Sequence, residues 1–104
     1  MRTSAAISAQ TVVSRSGHVA FHVLAEGEGG VLLHLDTGAY HGINDIGVAV
    51  WEILDEPRPF AEIVARLEAQ LEDVPTAIAD DVRDFLTDLS ERDLVSLSEP
   101  RNSH

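Results

Sequence analysis

Cysteine and lysine are absent from this 104-residue chain, and aromatic residues make up only 5% of it. Without cysteine there is no disulfide, no thiolate metal site and no cysteine nucleophile. No stretch approaches the ~20 consecutive apolar residues of a membrane-spanning helix. The first residues contain no apolar run long enough for a signal peptide. We therefore expect a cytoplasmic protein with no membrane partner.

Positive charge is also scarce. Seven basic residues, all arginine, stand against 18 acidic ones, which gives a formal net charge of −11 at pH 7. Nucleic-acid affinity comes largely from neutralising phosphates with basic side chains. The composition therefore argues against a nucleic-acid partner and favours cationic or apolar partners.

The length is typical of one domain with a mostly aliphatic core. Residues 1–17 are rich in Ser, Ala and Thr, and we expect them to form a flexible arm. Residues 97–104 are expected to form a flexible tail. The folded unit is then predicted to span residues 18–96.

Two segments, residues 18–24 and 31–36, alternate apolar and polar side chains, which is typical of half-buried strands. The glycine-rich sequence between them predicts a hairpin centred on Glu28, with Val23 opposite Leu33. In this register the core face carries Val31, Leu33 and Leu35.

A third short strand is predicted over residues 39–43. A three-residue turn with Gly38 in the left-handed conformation places Ile43 on the core face. This strand then forms an edge of the sheet.

Three segments with apolar residues at helical spacing follow the strands. Asn44 is a suitable N-cap for the first of them, and Trp51 is expected to fill the core. The sequences EPRP and DVPT separate the helices. The fold class is therefore α+β, with a three-stranded antiparallel sheet followed by three helices, the components of a winged helix-turn-helix.

No motif of enzymatic chemistry is present: there is no glycine-rich phosphate loop, serine nucleophile elbow or metal motif. The carboxylates of the third helix are expected on a solvated face, so we predict a non-enzyme without a cofactor. His22 and His34 are expected to be cross-strand neighbours on the solvent face, with His18 on the same face. Because no third ligand is fixed there, a metal site is not predicted.

The order and spacing of the helix and strand motifs resemble the PqqD-like family. The matching positions are Gly38, Tyr40, Ile43, Asn44, Gly47, Trp51, Leu54, Asp81, Val82, Phe85, Leu86 and Leu89. The similarity spans roughly residues 18–95. One departure is Asp93, where the family often has glycine; aspartate tolerates the left-handed conformation, so the fold is not threatened.

The resemblance implies a small non-catalytic module, a recognition element of pathways that make ribosomally synthesised, modified peptides. Such a module binds the leader segment of a precursor peptide and presents it to a partner, either a leader peptidase or another maturation enzyme such as a radical enzyme. A free-standing chain of this length is most similar to the discrete leader-binding proteins of lasso-peptide pathways. Residues 18–96 are accordingly expected to be the leader-recognition domain.

A free edge on the third strand offers unpaired backbone groups to which an extended peptide can add as a fourth strand. By the resemblance, the third helix forms the other wall of the groove. A proline at His41 is expected to remove a donor from this edge. The expected leader-binding residues are Ala39, Tyr40, His41, Gly42, Ile43, Asp81, Val82, Phe85 and Asp88.

Two other functions are compatible with the sequence. A winged-helix transcriptional regulator that binds DNA shares the same components, although the third helix carries five acidic residues against two arginines. An inert subunit that only stabilises a larger enzyme is the other. It predicts enzyme binding without peptide affinity.

Overall fold

The computed structural model of the chain describes residues 7–99. Its elements in chain order are β1 (Val12–Arg15), β2 (Val19–Val23), β3 (Gly30–His34), β4 (Tyr40–Ile43), α1 (Asp45–Ile53), β5 (Arg58–Pro59), α2 (Phe60–Gln70), α3 (Ile78–Glu91) and β6 (Val95–Ser98). Among these residues, no helix has the length and apolar character needed to cross a bilayer.

The strands form two antiparallel sheets within the described residues. One sheet has the order β2-β3-β4 and the other the order β5-β1-β6. The first sheet and the three helices confirm the predicted α+β class. The second sheet was not predicted.

The second sheet corrects the prediction that residues 1–17 form a flexible arm. β1 lies between β5 and β6 and places the fully buried Val13 in the core. Arg15, at the end of β1, donates a 2.6 Å hydrogen bond to the carbonyl oxygen of Trp51 and stacks on the indole ring. β6 likewise continues to Ser98, so the predicted flexible tail begins too early. Residues 1–6 and 100–104 of these two segments lie outside the described residues.

The β2–β3 hairpin has a different register from the predicted one. Val23 lies opposite Gly30, and Phe21 lies opposite Leu32. The turn is centred between Glu26 and Gly27, because Glu28 donates its N–H to the carbonyl of Ala25 in a turn that has a positive φ at Gly27. The prediction that the hairpin centres on Glu28 is therefore wrong.

The shift of register exchanges the two faces of β3, because side chains alternate along a strand. Leu32 is fully buried, whereas Leu35 is 58% exposed and Val31 and Leu33 are half-buried. The core face therefore carries Leu32 and not the predicted aliphatic row.

The predicted histidine pair is also absent. His34 is buried opposite Val19 on the core face, whereas His22 is exposed opposite Val31 on the outer face. No group of three or more potential metal ligands occurs in residues 7–99.

The turn from β3 to β4 has Gly38 at φ +77°, which confirms the predicted left-handed glycine. The loop is one residue longer than predicted, because His34 pairs with Ala39 through a 2.9 Å hydrogen bond. Ile43 is buried, as predicted, but it lies opposite Gly30 in the row that contains Leu32.

Helix α1 begins as the sequence predicts. The side chain of Asn44 accepts a 2.8 Å hydrogen bond from the N–H of Gly47 and so caps the helix. Trp51 is buried in the core between the helices and the sheets, as predicted. The helices and Leu54, the C-cap of α1, contribute most of the buried core: Val50, Trp51, Ile53, Leu54, Phe60, Ile63, Leu67, Ile78, Val82, Leu86 and Leu89.

Asp93 follows α3 at φ 62°, which confirms that it adopts the left-handed conformation. Its carboxylate lies 3.0 Å from Nε2 of the buried His34. The other ring nitrogen, Nδ1, accepts the N–H of Asp36 at 3.3 Å, so Nε2 is the donor to Asp93. This hydrogen bond joins the end of β3 to the end of α3, a contact that glycine at position 93 cannot make.

Arg58 holds together the connection between α1 and α2. It donates a 2.6 Å hydrogen bond to the carbonyl of Ile53 and forms ion pairs with Asp55 and Glu62, each at 2.8 Å. The hydrogen bond from Arg58 lowers the pKa of Asp55 below its usual value. Arg66 first, and Arg58 second, lower the pKa of Glu62.

These lowered pKa values predict how an Arg58→Met variant responds to acid. A carboxylate with a lowered folded-state pKa stabilises the fold above its unfolded-state pKa, and this stabilisation is lost as the pH falls through the folded-state value. We therefore expect the urea midpoint of the wild type to approach that of Arg58→Met between about pH 5 and pH 3. A constant difference between the two midpoints across this range would contradict the assignment.

Candidate functional site

Strand β4 is an edge of its sheet, and the backbone groups of Tyr40 and Gly42 point away from β3. The hydrogen bond from His34 N–H to the carbonyl of Ala39 fixes which residues pair inward. Because antiparallel pairs alternate between bonded and non-bonded positions, His41 bonds to Leu32, and its two neighbours do not bond to β3. The described chain places no further strand beyond this edge.

This alternation corrects the expected effect of proline at position 41. The N–H of His41 belongs to the internal ladder with β3, so a proline there breaks the sheet itself. The donors that face outward are those of Tyr40 and Gly42. The sequence pattern predicts the strand. It does not predict which backbone groups of the strand bond to β3, because that depends on the turn at residues 35–38.

Helix α3 forms the second wall beside β4. The Nε2 atom of His41 lies 3.3 Å from Oδ2 of Asp88, which also accepts from Nε of Arg92 at 3.2 Å. His41 and Asp88 thus connect the edge strand to the helix on the core side of the sheet. Both belong to the predicted set of binding residues.

A cavity of about 220 Å³ opens between α1 and α3. The predicted residues Asp81, Val82 and Phe85 line it from α3, and Asn44 and Gly47 line it from α1. Val82 is buried and forms the floor, whereas Phe85 is half-buried and Asp81 is exposed. The cavity is therefore mainly apolar with one carboxylate at its rim.

Gly47 allows the two helices to approach at this cavity. A Cβ atom at position 47 would lie 3.0 Å from Cζ of Phe85 and 2.9 Å from Cβ of Ile43. These distances are too short for a side chain at position 47. Because glycine has none, the Phe85 ring can lie against the start of α1. Gly47 and Asn44 were not predicted as site residues. In the sequence they are a glycine and an N-cap at the start of a helix, and formation of the helix is sufficient to explain both.

The remaining predicted residues lie on the strand. The carbonyl of Ala39 is already bonded to His34, and the side chain of Ile43 is 7% exposed. Tyr40 is 75% exposed and points to the outer face, away from α3. The structure thus brings His41 and Asp88 together and places Asp81, Val82 and Phe85 in one cavity.

The outer wall of the site is acidic. Asp80 pairs with Arg83, and Asp88 pairs with Arg92. Asp81 forms no ion pair with any other residue in the 7–99 range. A carboxylate at the rim of an apolar cavity favours a ligand that combines apolar and cationic groups.

Comparison with known proteins identifies the architecture. The family model described as coenzyme PQQ synthesis protein D (PqqD) matches residues 29–95. The chain belongs to the PqqD family. The PqqD match begins in the turn before β3 and ends at the first residue of β6, so it contains both β4 and α3.

Two solved structures resemble this PqqD-family chain. TbiB1, solved in complex with the TbiA(beta) leader peptide, has 31% sequence identity and a TM-score of 0.67, over 80% of this chain and 94% of TbiB1. The solution structure of the PqqD truncation of Methylobacterium extorquens PqqCD, a stand-alone recognition element for ribosomally synthesised and modified peptides, has 20% identity. It covers 82% of this chain and 88% of its own, with a TM-score of 0.66. A search of curated protein sequences gives no match.

Proposed function

We propose that this chain captures the leader segment of a precursor peptide and presents it to a processing enzyme. The observation that carries the proposal is the free edge of β4, where Tyr40 and Gly42 offer outward backbone groups. The apolar cavity of α3 is lined by Asn44, the residue that directly follows this strand. An extended peptide can satisfy these groups by strand addition, and its alternate side chains can enter the cavity. The similar protein TbiB1 was solved in complex with a leader peptide, which supports a leader peptide as the ligand of this chain.

In the proposed complex, Ala39–Ile43 form one wall of the groove and α3 forms the other. Phe85 and Val82 accept apolar leader side chains, and Asp81 and Asp88 attract a lysine or arginine of the leader. Exposed ion pairs contribute only roughly 0–1 kcal/mol each. The apolar contacts are therefore expected to supply most of the affinity.

The processing enzyme is proposed to be a leader peptidase or another maturation enzyme, and the module itself is proposed to act without catalysis in the cytoplasm. We propose residues 18–96 as the recognition domain, and β1, between β5 and β6, and the end of β6 at Ser98 complete its second sheet. DNA binding is not proposed, because α3 carries Asp80, Asp81, Asp84, Asp88 and Glu91 on the helix that a winged-helix protein places in the groove.

Fluorescence anisotropy tests the proposal directly. The probes are a fluorescein-labelled peptide with the TbiA(beta) leader sequence and labelled leaders of short precursor peptides encoded beside this chain. Saturable binding of at least one leader supports the proposal, with a scrambled leader and a DNA duplex as negative controls. If no leader binds and the chain binds the duplex at low salt, the alternative of a DNA-binding regulator replaces it.

Two substitutions on α3 separate apolar from ionic recognition. We expect Phe85→Ala to weaken leader binding by about tenfold or more, since it removes the apolar wall of the cavity. Asp81→Ala is expected to weaken binding by less than about fivefold, because it removes one exposed charge. Glu91→Ala, on the same helix outside the cavity, is the matched control. A larger effect of Asp81→Ala than of Phe85→Ala would contradict this assignment of roles.

A further inference from the structure

The outer face of the β2-β3-β4 sheet carries an apolar surface that the proposed groove does not use. Val31 and Leu33 of β3 are half-buried there, beside the exposed Tyr40 of β4 and the small side chain of Ala20 on β2. An open depression of about 430 Å³ lies over these residues. It is on the opposite side of the sheet from the cavity of α3.

Gly42 lies on the free edge of β4, next to two residues that line this depression, Val31 across the ladder and Tyr40 on the same strand. It lies opposite Val31 in the ladder, so a side chain at position 42 would point to the outer face. A Cβ atom at Gly42 would meet nothing within 4 Å. The absence of a side chain therefore leaves a gap between the free edge and Val31, next to Tyr40.

A strand added to β4 places one of its residues beside Gly42, and the side chain of that residue shares the outer face with Gly42. β3 lies about 10 Å from the added strand, twice the usual spacing between neighbouring strands. A long or aromatic side chain reaches across an adjacent glycine at an edge and covers it. Val31, Leu33 and the ring of Tyr40 then provide its apolar surroundings.

We propose that the gap at Gly42 is a second leader-binding subsite, which takes a large apolar or aromatic side chain on the outer face of the sheet. The leader is then recognised on both faces, with alternate residues directed to the α3 cavity and to the outer depression. This inference rests on the proposed function, because the leader is the occupant. The leader is the occupant because Tyr40, which lies on the edge to which the leader adds, also lines the depression.

Gly42 is one of the two residues between Tyr40 and Ile43 that the motif of the family resemblance leaves unspecified. No acidic side chain lies among the residues that line the depression, although the chain as a whole has a net charge of −11. Apart from His22, the lining residues are aliphatic or aromatic, so an uncharged apolar side chain is the ligand chemistry that this surface fits.

A side chain at position 42 fills the gap and keeps the backbone N–H of this residue as a donor. In the leader-binding assay, Gly42→Val is expected to raise the Kd by about tenfold or more, and Tyr40→Ser by about threefold or more. Leu35→Ser changes an exposed side chain one residue past the end of β3 and outside the lining of the depression; it is the matched control and should leave the Kd within twofold. Circular dichroism during heating confirms that each variant is folded.

An alanine scan of the leader identifies the side chain that enters the gap. We expect one leader position whose alanine variant binds the wild type and Gly42→Val with equal affinity. If Gly42→Val binds the intact leader as tightly as the wild type does, the subsite is wrong, and strand addition remains. If the wild type binds no leader at all, the proposed function itself fails.

Discussion

Replacing Gly42 by proline is expected to abolish leader binding while the domain stays folded. The N–H of Gly42 points away from β3, so a proline there removes no hydrogen bond of the internal ladder. It does remove a donor to the incoming strand, and its ring occupies the space beside the edge. We expect the Kd for the leader to rise at least about 30-fold, equivalent to ~2 kcal/mol.

Two controls isolate the backbone donor. Gly42→Ala keeps the N–H and adds only a methyl group in open space, so we expect leader affinity within about threefold of the wild type. Val23→Pro places the same ring at an outward-facing position of the opposite sheet edge, on β2. Normal binding by Val23→Pro and weak binding by Gly42→Pro assign the leader to β4. The reverse pattern would place the leader on β2 and overturn the proposed groove.

The helices and their caps were predictable from the sequence because their signals are local. Asn44 stands immediately before an apolar pattern of helical period, and its side chain does cap α1. The left-handed conformation at Gly38 was also predicted from residue type, and the one at Asp93 was expected from the family resemblance because aspartate tolerates it. Each of these features depends on a few neighbouring residues, and each is confirmed.

The register of the β2–β3 hairpin could not be predicted in the same way. The sequence EGEGG contains three glycines, so several turns of different centre are compatible with it. The more apolar row of β3 was expected to face the core, yet Leu32 and His34 occupy that face. His34 is compatible with burial because Asp93 accepts its hydrogen bond from the end of α3, 59 residues away.

The second sheet was missed for a related reason. β1 pairs with β6, whose residues lie about 80 positions further along the chain, and a four-residue strand has little periodicity of its own. Only Val13 of β1 is fully buried, so the segment resembles a loose arm in composition. Strands that depend on distant partners are specified by packing and not by local propensity.

In the candidate site too, features that depend on neighbouring residues were predictable, whereas features that depend on strand pairing were not. The sequence identified β4 as an edge strand and Phe85 as the apolar residue at the margin of α3. It did not identify which backbone groups of β4 face outward, since that follows from the length of the preceding turn. It also did not identify the outer depression beside Gly42, because the predicted register placed Val31 and Leu33 in the core.

The turn that sets the β2–β3 register predicts the largest loss of stability, at Gly29. This residue has φ +77°, and its N–H donates a 3.0 Å hydrogen bond to the carboxylate of Asp45 at the start of α1. A Cβ atom at Gly29 would collide with the carbonyl oxygen of Ile43 at the end of β4. We expect Gly29→Ala to lose about 3 kcal/mol or more of the free energy of unfolding, through backbone strain and this collision together. For a domain of this size the melting temperature should fall by more than about 12 °C.

Gly27→Ala separates the two causes, because Gly27 has nearly the same φ of +80° but open space around its Cβ position. Only backbone strain acts there, and we expect a loss of about 1 kcal/mol. Urea denaturation of the wild type and both variants measures the difference, which is the cost of the contact with Ile43. Equal losses in the two variants would show that the turn does not press against the end of β4. In that case the pairing of Gly30 with Ile43 in the β3–β4 ladder, and with it the outward direction of Tyr40 and Gly42, would have to be reassigned.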